Sequence, residues 1–192
     1  MNLYELIKQN QFRGLSTTLV RVFAQQLLNG LSLLNKARLI HCDLKPENIM
    51  IGAFGEALVL DWGVAALARR GSIAGTRGFA APEQAAGAAM DARSDIFSLG
   101  AILREVSAGV EARRALPSIC LKAMADRPED RYASALELSA EIARYLDGEP
   151  VRAHRETLWE RAGRLFARHY MWVLLIAAYL VMRMLLLLVL HR

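Results

Sequence analysis

His41-Cys42-Asp43-Leu44-Lys45-Pro46-Glu47-Asn48 is the stretch on which the fold turns. Asp61-Trp62-Gly63 follows it, and Ala81-Pro82-Glu83 begins twenty residues beyond Asp61. Taken singly each tripeptide is weak, because a D-x-G or an A-P-E arises by chance. Their surroundings narrow the reading. Upstream, Val20, Phe23, Ala24, Leu27, Leu28, Leu31 and Leu34 recur at three and four residues, which predicts a helix with Ser16 as its N-cap. Two apolar runs, Ile49–Ile51 and Ala57–Leu60, flank GAFGE and predict a β-hairpin-like pair. Asp95 to Val106 reads as a second helix. Ser134 and Glu137 form an S-x-x-E capping box opening a third, with Leu138, Ile142, Tyr145 and Leu146 on one face and Gly148 and Pro150 as its stop. The body is therefore expected to be mainly α with little strand.

In order and spacing the three motifs resemble the catalytic loop, the metal-binding D-F-G and the A-P-E of eukaryotic-type protein kinases. The resemblance covers roughly residues 1–147. It extends to NLYELIK, which looks like the segment just after the interlobe hinge, and to DARSDIFSLG, which looks like the helix holding the catalytic loop through Asp95. The first fifty residues look most like dual-specificity tyrosine-regulated kinases. GTRGFAAPEQ, RSDIFSLGAIL and LDGEPVRA look more like bacterial membrane-anchored Ser/Thr kinases.

The resemblance implies phosphoryl transfer from ATP to Ser/Thr hydroxyls of a protein substrate, where catalysis is positioning plus charge neutralisation. It implies that Asp43 accepts the hydroxyl proton and that Lys45 reaches the transferred phosphate. Asn48 and Asp61 would hold Mg²⁺, and Thr76 would support Asp43 and Lys45. His41 and Asp95 would be structural, and Arg131, in DRPEDRY, would pair with Glu83.

Departures from the family pattern shape the reading as much as the matches. Cys42 stands where the family carries an Arg that receives an activation-loop phosphate, so phosphorylation of Ser72 is not expected to switch this chain on. Trp62 replaces Phe, and the stretch from Asp95 to Arg131 is short for the family. No G-x-G-x-x-G occurs, and none of the four lysines (Lys8, Lys36, Lys45 and Lys122) lies in a V-A-I-K-like strand. The expectation is a C-terminal lobe without its N-terminal lobe, which a partner or upstream sequence would supply. Two other outcomes follow from that: a catalytically silent, tethered binding module, or a remnant with no stable fold.

The tail has its own chemistry. The 192 residues carry 24 Lys+Arg and 19 Asp+Glu; residues 151–192 hold seven Arg and two Glu, so the whole net charge of +5 lies there. A neutral body argues against a nucleic-acid binder. Two cysteines exclude a disulfide scaffold. Met171 to Leu190 has a single charge, Arg183, in twenty residues. At ~1.5 Å per residue such a helix spans the ~30 Å hydrocarbon core. Arg161, Arg164 and Arg168 precede it, which by the positive-inside rule places the body in the cytoplasm. The expected fold is a mainly α, protein-kinase-like C-terminal lobe with a short β-hairpin (1–150), a basic juxtamembrane segment (151–170) and a single-pass transmembrane helix (171–190) in the cell membrane.

Overall fold

Helical spacing of leucine, short β-forming runs and well-placed caps generate most elements of the computed structural model, which describes residues 2–9, 17–37, 39–52, 56–61, 66–67, 76–107, 115–154 and 157–190. They fall into two units, Met1–His154 and Arg155–Arg192.

In the first unit, α1 (Leu3–Lys8) is opened by Asn2, whose Oδ1 accepts from the Glu5 amide at 2.8 Å. The leucine-patterned helix is α2 (Thr17–Lys36), with Leu27, Leu28 and Leu31 in the core; its expected cap, Ser16, lies outside the described residues. α2 packs on α6 (Ala135–Leu146), where Gln25 Nε2 donates to Ser139 Oγ at 3.0 Å. The expected hairpin is β2 (Ile49–Ile51) paired antiparallel with β3 (Ala57–Val59), in register Ile49↔Val59. A second pair, β1 (Leu39–Ile40) with β4 (Ala66–Leu67), has strands of two residues, too short for any period to show in sequence.

α3 (Pro82–Ala85) and α4 (Ala92–Ser107) follow. α4 starts three residues before the expected Asp95, because Asp91 Oδ1 accepts from the Arg93 amide at 2.8 Å and caps the helix there. α5 (Ala115–Ala123), not foreseen, buries Leu116, Ile119, Cys120 and Ala123 against α4. α6 carries the expected cap: Ser134 Oγ accepts from the Glu137 amide at 3.2 Å. The return bond differs, since Glu137 Oε2 accepts from Ala133 instead of Ser134.

Gly100 marks the closest approach of α4 to α5. A methyl built there would lie 2.7 Å from Ala123 Cβ and 3.0 Å from Met124 Cγ. Overpacking of that kind costs about 1–3 kcal/mol, against the ~1 kcal/mol that Ala gains in helix propensity. Gly100→Ala is therefore expected to lower the urea midpoint; an unchanged or higher midpoint would contradict this packing.

The second unit is α7 (Leu158–Leu190), with a non-helical residue, His169, at φ −118° and ψ 17°. The expected juxtamembrane segment is thus helical from Leu158 onward and continues, across that break, into the Met171–Leu190 stretch. Among the described residues no helix is long and apolar enough to cross a membrane, and positions 158, 160, 161, 164, 165, 167, 168, 173, 177, 185 and 188–190 of α7 lie outside that statement.

Candidate active site

The site is built on the loop between β1 and β2. Asp95, on α4 and 1% exposed, accepts from the His41 amide at 2.8 Å and from the Cys42 amide at 3.0 Å, one on each carboxylate oxygen. This bends the chain so sharply that Cys42 adopts φ +67°. A left-handed non-glycine residue costs of order 1–3 kcal/mol and persists where its surroundings over-determine it. The His41 ring is fully buried; Nε2 lies 3.1 Å from the Leu60 carbonyl, and Nδ1 lies 3.4 Å from the Asp43 amide. Only the neutral tautomer with its proton on Nε2 satisfies both contacts. Burial lowers the imidazole pKa from its ordinary value, which favours that neutral form.

This bend presents Asp43. Its Oδ2 accepts from Lys45 Nζ at 2.7 Å, and its Oδ1 accepts from the Thr76 hydroxyl at 2.9 Å. Lys45 Nζ also donates to Thr76 Oγ1 at 3.0 Å, so the three side chains close a triangle. Thr76 reaches in from a turn in which the Phe79 and Ala80 amides both donate to the Thr76 carbonyl, with Gly78 at φ +92°; Ser98 Oγ on α4 holds that turn through the Phe79 carbonyl at 2.8 Å. Asn48 Nδ2 donates to the Asp43 carbonyl at 3.0 Å and lies 3.4 Å from Oδ2. A carboxylate has about four lone-pair sites, and these contacts take three. Among the described residues nothing takes the fourth, which is left for an incoming hydroxyl.

The hairpin places Asp61 beside this group. Register Ile49↔Val59 sets Asn48 opposite Leu60, whose amide donates to the Asn48 carbonyl at 2.8 Å, and Asp61 follows at φ +60°. The Asn48 amide nitrogen is the atom engaged with the loop, so the atom it can offer a cation is its oxygen. That oxygen and the Asp61 carboxylate are hard donors suited to Mg²⁺. Among the described residues no three His, Cys, Asp or Glu gather to hold a metal unaided, so Mg²⁺ would complete its shell with water and phosphate. Trp62 and Gly63 lie outside the described residues, as does Ser72.

Beneath the site, Arg131 and Glu83 form a bidentate pair, 2.7 Å at each oxygen, with the Arg side chain 0% and the Glu side chain 10% exposed. The remaining guanidinium protons reach the carbonyls of Ala125, Arg93 and Asp126, so all five donors are used. Burial raises the Glu83 pKa, but bonds from Arg131 and from Ser94 outweigh it and hold the carboxyl below its ordinary value.

The structure also brings in a residue not singled out in the sequence. Gln84, fully buried on α3, donates through Nε2 to the Cys42 carbonyl at 2.7 Å and accepts from the Ala81 amide at 3.0 Å. The sequence signal was half a capping box: Gln84 holds the N3 position, but the N-cap is Ala81 instead of Ser or Thr. Cys42 itself packs with Ile40 and Met90, its thiol 3.6 Å from the Ile40 carbonyl; it presents no cation at this position.

Asp95 has a testable titration. Burial pushes its pKa from 3.8 up to about 6 despite the two amide bonds. A raised carboxyl pKa means that the folded state takes up its proton first as pH falls. Its stabilising effect is therefore complete below about pH 4 and is lost as pH rises through about 6. Wild type is expected to gain stability relative to Asp95→Asn between those values, read from urea midpoints; a constant difference would refute the shift.

With this geometry established, the family can be stated. The family model for the protein kinase domain matches residues 1–126, and the chain belongs to that family of phosphoryl-transferring enzymes. It is similar to serine/threonine-protein kinase ppk15 of Schizosaccharomyces pombe, 47% identical over 114 residues, which is 57% of this chain and 21% of that protein. It is also similar to the dual specificity protein kinase YAK1 homolog of Arabidopsis thaliana (44% over 115 residues, 57% of this chain and 12% of that protein). Human dual specificity tyrosine-phosphorylation-regulated kinase 3 is 42% identical over 113 residues, 57% of this chain and 19% of that protein. The matched stretch is thus between 12% and 21% of these relatives. Arg131 lies beyond residue 126, yet its pair with Glu83 ties it to the matched region.

Proposed function

We propose that this chain is a membrane-anchored Ser/Thr protein kinase that transfers the γ-phosphate of Mg·ATP to Ser or Thr hydroxyls of a protein substrate. The observation that carries this reading is the closed Asp43–Lys45–Thr76 triangle with one carboxylate position left open. Asp43 accepts the substrate hydroxyl proton as the oxygen attacks phosphorus. Lys45, held 2.7 Å from Asp43, is placed to turn toward the transferred phosphoryl group and offset its charge. Thr76 keeps the acid and the amine in register. Asn48 and Asp61 would hold Mg²⁺, which when bound would neutralise phosphate charge. The glycine-rich loop and paired lysine that would cover the nucleotide are not in these 192 residues. In this reading the cover comes from outside them, from upstream sequence or from a partner.

Anchoring rests on the sequence Met171–Leu190, uncharged but for Arg183 and carried on α7, with arginines on its N-terminal side. Long arginine side chains near a span's end can reach the interface, which offsets the cost of Arg183. The body is then cytoplasmic. Alkaline carbonate extraction of the full chain is expected to leave it in the membrane pellet, and release to the supernatant would overturn the anchor.

The kinase reading is tested by incubating the full chain with Mg·ATP and a Ser/Thr peptide, alone and joined to any in-frame upstream sequence. Phosphoserine or phosphothreonine formation is expected in one of these forms. Its absence in both would favour the silent binding module, a reading that the missing glycine-rich loop supports.

A further inference from the structure

Asp43 leaves the left-handed turn at Cys42 through one peptide plane, and both ends of that plane are held. The Asp43 amide lies 3.4 Å from His41 Nδ1, and the Cys42 carbonyl accepts from Gln84 Nε2 at 2.7 Å. We propose that Gln84 is a positioning residue for the phosphotransfer site, its side-chain amide clamping the Cys42–Asp43 peptide and so coupling α3 to the orientation of the Asp43 carboxylate. The inference rests on the kinase reading above.

A cap alone would not require glutamine here. The Ala81 amide needs only an acceptor, which Glu at the same position would supply equally well. The Cys42 carbonyl needs a donor, forty-two residues away in the chain. The amide serves both at once without titrating, in a fully buried position where an unmet partner is costly. Gln84 follows Glu83 directly, so the Arg131–Glu83 pair that seats α3 also sets the clamp. Position 42, meanwhile, carries a buried thiol against Ile40 and Met90, with no charged group to receive a phosphate. The loop is held by fixed amide and carboxylate contacts, from Gln84 on one side and Asp95 on the other.

Gln84→Glu in the full chain separates the roles. Ionised, the new carboxylate keeps the cap on Ala81 but opposes the Cys42 carbonyl; protonated, its hydroxyl can donate there again. At about pH 9, kcat is expected to fall about 10–100-fold with KM for Mg·ATP unchanged, the scale of a misplaced reacting group. Between about pH 9 and pH 6 the ratio to wild type should return toward one, because a buried carboxyl protonates several units above its ordinary value. His41, Asp43, Glu83, Asp95 and Arg131 are present in both proteins, so that ratio isolates position 84. Hydrogen exchange supplies a readout free of activity: protection of the Asp43 amide, relative to α4 amides, should be lost in the variant at high pH and restored at low pH. A kcat ratio and Asp43 protection equal to wild type throughout would overturn the clamp, as would a loss independent of pH. If wild type transfers no phosphate either alone or joined to upstream sequence, the kinase reading fails, and exchange at Asp43 still decides the clamp.

Discussion

Asp43→Asn is expected to lower the phosphotransfer rate about 10²–10⁴-fold, the usual contribution of a positioned general base, while moving the unfolding midpoint little. The surroundings accommodate the amide. Lys45 can only donate, so the Asn oxygen turns to face it where Oδ2 now accepts at 2.7 Å. The Asn nitrogen then faces Thr76, whose hydroxyl rotates to accept instead of donating at 2.9 Å. The triangle survives, and what is lost is the basic lone pair. Equal rates in wild type and variant, measured on one peptide with Mg·ATP, would remove Asp43 from the chemistry and with it the kinase reading. A lowered midpoint alongside the lost rate would mean that the triangle does not rearrange as described.

Arg131→Met should cost about 3–5 kcal/mol of stability, the largest loss expected from a single side chain outside the hydrophobic core. Removing the guanidinium leaves the Glu83 carboxylate buried with, among the described residues, Ser94 as its remaining side-chain donor, and strands the carbonyls of Ala125, Arg93 and Asp126. Lysine should rescue little, because an ammonium cannot reproduce a planar five-donor fork. Glu83→Leu alone should also destabilise, by leaving the cation uncompensated. The double variant should lose less than the two single losses together, since neither buried charge is then left alone. Urea unfolding of the four proteins measures that coupling, and simple additivity would show that the pair contributes nothing. The pair has a pH signature as well. Glu83 is held below its ordinary value of 4.5, so its contribution is complete above that pH and is lost as pH falls through the depressed folded value.

The legible parts were those that local chemistry dictates. The leucine spacing of α2, the apolar runs of β2 and β3 and the Ser134 cap of α6 are short-range patterns, and they formed where expected. Motif resemblance names Asp43, Lys45, Asn48 and Thr76, and the structure brings the other three within hydrogen-bonding distance of Asp43. The start of α4 was misplaced because Asp91, a cap outside the apolar pattern, sets it. α5 was missed although Leu116, Ile119, Cys120 and Ala123 stand at helical spacing; a proline in its first turn obscured the pattern. β1 and β4 carry no period at two residues each and pair only because their neighbours bring them together.

By itself, then, the sequence determined α2, the β2–β3 hairpin, α6 and the concentration of positive charge in the tail, because composition and local spacing carry these, while the candidate base and its partners rest on motif resemblance. Only the tertiary structure decided how the base is held. Asp95 reaches across fifty-four and fifty-three residues to bend the loop, Gln84 across forty-two to clamp it, and Arg131 across forty-eight to seat α3. Such contacts leave no period in the chain. Their worth comes from burial, where a donor and an acceptor must find each other or bear the full cost of leaving water.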